Sequence, residues 1–221
     1  MTDHSTSAPA EHRLSHADTD TAAVRSVYEM RSLRTDAERA EAVALVEDRL
    51  GWLTRHGLPK PAGADIPELF WSKELRTVGL FEDGLLLACM ILGLEAGSGR
   101  EGSAETGSRL LLHHVYTLPE HPDDIVRLIT LWSSDYAARL DRPGVRAETY
   151  APREPNTGPT RRFLDRLQEM GWTVTGTAAL FGEHVIRLEL RAEARPPLLL
   201  LIRCEVPLPL PASSDSKGRT S

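Results

Sequence analysis

The chain has 221 residues, of which 41% are hydrophobic and 26% charged, enough for one well-buried core with tails and in the range of an ordinary soluble protein. A net charge of −6 excludes an overall basic face of the kind that neutralises nucleic-acid phosphates. Cys89 and Cys204 lie far apart and no C-x-x-C occurs, which argues against both a zinc site and a dithiol redox centre.

Residues 1–21 are polar and without periodicity, and are expected to form a disordered tail. They contain no apolar h-region, so no signal peptide is predicted and a cytoplasmic, reduced setting follows. Ala23–Met30 alternates imperfectly, as a first strand would. "RTDAERAEAVALVEDRLGWLTRHG" predicts a helix, with Asp36 as cap, Val43, Val46, Leu50 and Leu53 at helical spacing, and Gly57 and Pro59 ending it. A short second helix is expected over Ile66–Leu75. Asp83-Gly84 is a two-residue hairpin signal between strands Thr77–Phe81 and Leu85–Leu94. Residues 95–108, rich in Gly and Ser, read as a flexible loop.

"RLLLHHVYT" is then a strand of about eight residues. "LPEHPDD" follows, and "DDIVRLITLWSSDYAARLD" places Ile125, Leu128, Ile129, Trp132 and Tyr136 on one helical face. Val145–Tyr150 is a short strand. "TRRFLDRLQEMGW" predicts a helix with Phe163, Leu167 and Met170 inward and Gly171 as its stop. "TVTGTAAL" and "HVIRLELR" are two further strands. The Pro-rich residues 194–221 are expected to be mostly disordered, although "LLLLIRCEV" has the composition of an edge strand or partner contact. No run is long and apolar enough to span a membrane. The main domain is placed at residues 22–193, an α/β fold with a mixed, largely antiparallel central sheet flanked by helices.

Four phrases in this order, "RTDAERAEAVALV", "GLFEDGLLLACMIL", "HHVYTLPEH" and "FLDRLQEMGW" followed by "TVTGT", resemble the GNAT superfamily of acyl-CoA-dependent N-acetyltransferases. The likeness covers about four-fifths of the chain. It implies a GNAT-like sheet, acetyl-CoA as cofactor and transfer of an acyl group to an amine. In that family the loop after the fourth strand reads Gln/Arg-x-x-Gly-x-Gly/Ala, and its glycines let helix amides approach a diphosphate. The corresponding "HPDDIV" sets His121, Asp124 and Val126 at those places and holds no glycine. Asp123 or Asp124 is expected to cap the following helix, putting the protein's own carboxylate where a phosphate would lie. The cofactor segment implied by the resemblance is Val115, Tyr116, Thr117, His121, Asp123, Asp124, Ile125 and Val126, with the amides of Val115 to Thr117 serving the thioester oxygen.

Acyl transfer to an amine needs a base, an oxyanion donor and an acid for the leaving thiolate. His113 and His114 are the first candidates for the base. Being adjacent on a strand they are expected to face opposite sides, which also disfavours a metal cluster of His113, His114 and His121 with Asp123. Glu148 is the alternative base, and Tyr150 or Tyr116 the acid, since the late helix lacks a tyrosine. Arg161-Arg162 reads as a solvated face or as a contact for an anionic ligand at a helix start. Two functions are consistent with these residues. One is an N-acyltransferase acting on a small-molecule or peptide amine, with no metal, nucleic acid or membrane partner and with room for a homodimer. The other is a catalytically degenerate GNAT-fold binding or regulatory module that binds coenzyme A poorly.

Overall fold

Turn chemistry and helix caps determine where this chain changes direction. The computed structural model describes residues 28–61, 65–95, 108–119, 122–151, 158–180 and 183–207. The expected N-terminal tail, most of the Gly/Ser loop, residues 23–27 of the expected first strand and the last residues of the C-terminal tail lie outside that set. The first described strand, β1 (Tyr28–Ser32), leads into α1 (Asp36–Arg55).

The cap of α1 is Thr35 rather than Asp36. The Glu38 N–H donates to Thr35 Oγ1 at 3.2 Å, and the Thr35 N–H donates back to the Glu38 carboxylate at 2.9 Å. This reciprocal box satisfies two helix-end donors at once, which Asp36 alone cannot do. Burial would raise the Glu38 pKa, but hydrogen bonds from Thr35, Arg31 and Arg34 outweigh it and hold the carboxyl at about 2. At the other end Gly57 takes φ +62°, and the Leu58 N–H reaches the Leu53 carbonyl at 2.9 Å, closing a Schellman motif. The inward face is Ala42, Leu45 and Val46 together with the buried Arg39, while Val43 and Leu50 pack at its margin.

α2 (Ile66–Leu69) is a single turn, shorter than the segment to Leu75. Arg39 gives the reason: its Nη1 donates to the carbonyls of Phe70 and Ser72, both at 3.1 Å, and so holds the chain in an open turn there. β2 (Arg76–Glu82) and β3 (Leu85–Leu94) are joined at Asp83-Gly84 with φ of +49° and +84°, the positive-φ pair of a type I′ hairpin. Then come β4 (Leu110–Thr117), α3 (Pro122–Arg139), β5 (Gly144–Ala151), α4 (Gly158–Glu169), β6 (Thr173–Leu180) and β7 (Glu183–Arg191). A 3-10 turn at Pro196–Leu200 precedes β8 (Ile202–Glu205), so ordered chain continues past Ala194.

The eight strands form one sheet in the order β6-β7-β5-β4-β3-β2-β1-β8. Only β4–β5 and β1–β8 pair in parallel; every other neighbour is antiparallel. This is the mixed, largely antiparallel sheet that the element order implied. One core cluster joins α1 and α2 to the sheet through Val46, Phe70 and Phe81. The other holds the predicted stripe of α3, including Trp132 and Tyr136, with Leu164 and Leu167 of α4. Phe163, expected inward, is 41% exposed instead.

Candidate functional site

β4 and β5 are eight residues long but pair only at Leu110–Val145, Leu111–Arg146 and Leu112–Ala147. From His113 and Glu148 onward they are unpaired with each other. A bulge accompanies the parting. Against β3, His113 faces Ile91 and Tyr116 faces Cys89, so His114 and Val115 together oppose the single Met90. An extra residue of this kind bends and twists its strand. His114 absorbs it at φ +49°, a left-handed conformation that few residues other than glycine adopt.

A cavity of about 410 Å³ lies between the separated strands, reaching from Arg49 and Trp52 of α1 to Phe163 and Leu167 of α4. Since α1 and α4 cover opposite faces, the opening runs through the sheet. The bulge also resets side-chain alternation. His113 and His114, expected on opposite sides, both line this cavity with ring centroids 6.4 Å apart.

His113 keeps part of its surface in solvent, yet burial of the rest lowers its pKa while the Glu148 charge pulls it up. Burial, then the neighbouring His113, lowers that of His114. Both imidazoles are therefore neutral at pH 7 and able to accept a proton. Glu148 lines the opening and forms an ion pair with Arg187 Nε at 3.3 Å. Tyr150 stands beside it on β5, and Tyr116 faces from β4. Burial pushes the Tyr116 phenol far above its usual range, followed in effect by Tyr150 and Cys89. Val115 and Thr117 complete the β4 lip.

Helix α3 starts at Pro122, so Asp123 and Asp124 are its second and third residues and neither is the cap. Proline at the first position costs the helix nothing, because that N–H has no intrahelical acceptor. Asp124 is exposed. His121 and the Asp123 side chain lie outside the described residues. Ile125 is buried in the α3 core, 3% exposed, while Val126 beside it does line the cavity.

A second hollow of about 270 Å³ adjoins the first and shares Arg49, Thr117, Val126 and Phe163 with it. Its added residues include Arg162 and Arg166, one turn apart on α4. Of the sequence pair Arg161-Arg162, Arg161 turns away to Asp165 at 2.7 Å, and Arg162 points to the hollow's wall. The i, i+4 spacing of Arg162 and Arg166 was readable in the sequence; the arrival of Arg49 from α1 was not.

No protein-family model and no curated protein matches this chain. Solved structures do. A GNAT-family acetyltransferase from Listeria monocytogenes is similar over 74% of this chain and 95% of its own, with TM-score 0.54 and 14% identity. A putative GNAT-family acetyltransferase from Desulfovibrio desulfuricans aligns over 75% and 99%, with TM-score 0.53 and 18% identity. FeeM, an N-acyl amino acid synthase from uncultured soil microbes, aligns over 75% and 91%, with TM-score 0.50 and 15% identity. The chain adopts the GNAT fold. Within this GNAT framework the parted strands β4 and β5 gather His113, His114, Val115, Tyr116, Thr117, Glu148, Tyr150 and Val126 at one opening, and leave Ile125 in the core. No helix among the described residues is long and apolar enough to cross a membrane, and no group of three or more potential metal ligands occurs among them.

Proposed function

We propose that the chain is an N-acyltransferase that moves an acetyl or related acyl group from a coenzyme A thioester to the amine of a small molecule or peptide. The observation that carries this reading is the opening between β4 and β5 with two neutral imidazoles on its lip. The similar structures, acetyltransferases and an N-acyl amino acid synthase, support the same class of reaction. The free thiols of Cys89 and Cys204 are in keeping with a reducing, cytoplasmic setting.

A thioester held in the opening supplies an activated acyl carbon and a thiol leaving group. His113 is the base: its neutral ring takes the proton from the attacking amine, and Glu148 stabilises the imidazolium so formed. His114 is the second candidate for that proton. Among the main-chain amides from Val115 to Thr117, those turned from β3 towards the opening donate to the carbonyl oxygen as negative charge develops on it. Tyr150, a phenol on the opposing lip, returns a proton to the departing sulfur.

The opening suits a narrow pantetheine-like arm between two strand edges. The loop "HPDDIV" suits a diphosphate less well, since it has no glycine and carries exposed Asp124 in the first turn of α3. That feature favours a second reading, a GNAT-fold binding module with weak affinity for coenzyme A. A carboxylate about 5 Å from a phosphate charge costs on the order of 1 kcal/mol in water and about 3 at an effective dielectric of ~20. Calorimetric titration of acetyl-CoA and CoA separates the two. Micromolar binding with turnover of amines supports the enzyme; absence of heat up to millimolar ligand rejects it in favour of the module.

A further inference from the structure

One edge of the sheet is β8, and among the described residues no strand lies beyond it. The Tyr28 N–H donates to the Leu201 carbonyl at 3.0 Å, which sets the phase of the parallel β1–β8 ladder. The main-chain groups of Leu201, Arg203 and Glu205 therefore turn to β1, and those of Ile202 and Cys204 turn outward. Such a row of donors and acceptors is a template for another strand, which monomers blunt with proline or with charges, lysine above all. β8 carries charges of both signs instead. Arg203 and Glu205 stand on one face, in register with Glu29 and Arg31 of β1, so acid and base already alternate along and across these two strands. Leu200 and Leu201, just before β8 begins, are 65% and 38% exposed.

We propose that β8 is a docking edge for a second copy of this chain, paired antiparallel about a two-fold axis at Cys204 into one continuous sheet. In this register each Cys204 N–H donates to the Cys204 carbonyl of the other copy, and Arg203 of each copy lies opposite Glu205 of the other. The charges then alternate without a break across the seam, from Glu29 to Arg203 and on to Glu205 and Arg31 of the second copy. Unlike charges directly opposite stabilise a strand pair, and like charges oppose it. The same rule selects the register. Sliding the second strand to the next position at which outward groups meet sets Arg203 against Arg203 or Glu205 against Glu205. The Arg203–Glu205 ion pair within one chain, at 2.9 Å, is a weak competitor, because an exposed pair of this kind contributes little. The leucines of the two copies add apolar area at both ends of a short seam. β3, β2 and β1 stand between β8 and β4, so the seam lies away from the β4–β5 opening and does not depend on the chemistry there.

The test uses Arg203→Glu and Glu205→Arg in the full chain, at positions whose side chains reach solvent. Folding is checked by thermal melting, and association by sedimentation velocity over a series reaching millimolar chain. Wild type is expected to pass from monomer to dimer within that series. Each variant alone sets like charges opposite each other twice, and is expected to self-associate about tenfold more weakly, or worse. An equimolar mixture of the two variants restores both unlike pairs and should dimerise as wild type does. Repaired folding cannot explain that recovery, since each chain carries the same substitution alone and in the mixture. A wild type that stays monomeric throughout overturns the proposal. Dimers that neither substitution weakens place the interface elsewhere and overturn it equally. A mixture no more dimeric than its components rejects the register, and the docking edge with it.

Discussion

At the scale of single residues, the bulge at His114 makes two separable demands. Its backbone must hold φ +49° and its ring must share the opening with His113. A β-branched side chain meets the left-handed conformation with a clash worth roughly 1–2 kcal/mol. His114→Val is therefore expected to lower stability in urea by about that much, whereas His114→Gly keeps the bulge; equal stability of all three proteins would remove the strain from the account. His113 gives a pH signature. Its folded pKa lies below the ordinary imidazole value of about 6.5, so the folded state binds fewer protons than the unfolded chain. Its contribution to stability is complete above pH ~6.5 and is lost as pH falls from there through the folded pKa. The same neutral ring predicts transfer rates that level off on an acid limb centred below ~6.5. His113→Gln should abolish that limb and lower kcat by roughly 10²–10⁴ with little change in KM. A limb that persists at the same midpoint assigns the base elsewhere, with His114 next to examine.

At the scale of elements, α1 owes its beginning to four residues, Thr35 to Glu38. Thr35→Ala removes one cap acceptor and is expected to cost ~1 kcal/mol of unfolding free energy. Glu38→Gln should instead flatten the acid side of the stability curve. The Glu38 carboxyl titrates at about 2 when folded, so its stabilisation is present above the unfolded value of ~4.3 and disappears as pH falls towards 2. Parallel acid titrations of wild type and variant, followed by circular dichroism, check this: curves of identical slope below pH 4 would contradict it. Elements of this kind were legible wherever their cause is local. The Asp83-Gly84 turn, the stops at Gly57 and Gly171, and the Ile125–Tyr136 stripe are all written within one turn or one helix face. Thr35 was legible too, because "TDAE" is a capping-box pattern, but Asp36 is an equally good cap residue taken alone. The β4 bulge was not legible, since an extra residue exists only by comparison with the partner strand. Neither was the arginine hollow, whose members come from helices distant in the chain and on opposite faces of the sheet.

At the scale of the whole molecule, residues 192–207 pack as part of the fold. Three consecutive residues of α3 hold this segment: the Ser134 carbonyl accepts from the Glu193 N–H at 3.3 Å, Asp135 accepts from the Arg195 N–H at 2.7 Å, and the Tyr136 hydroxyl donates to the Pro207 carbonyl at 2.9 Å. Ile202 of β8, within the same segment, is 1% exposed and belongs to the core that holds Trp132 and Tyr136. Ile202→Ala should destabilise the protein by ~2–5 kcal/mol in chemical denaturation, as a buried truncation does; an unchanged midpoint would mark the segment as dispensable. The short seam between β4 and β5 carries a different consequence. With only three residue pairs across it, the sheet is two leaves, β6-β7-β5 and β4-β3-β2-β1-β8, bound along a narrow spine. Few ladder bonds hold that spine, so amides at its open end should exchange hydrogen with water before those deep in either leaf. A molecule wedged between the leaves would shield those amides, and slowed exchange there would report its arrival even where no chemistry follows.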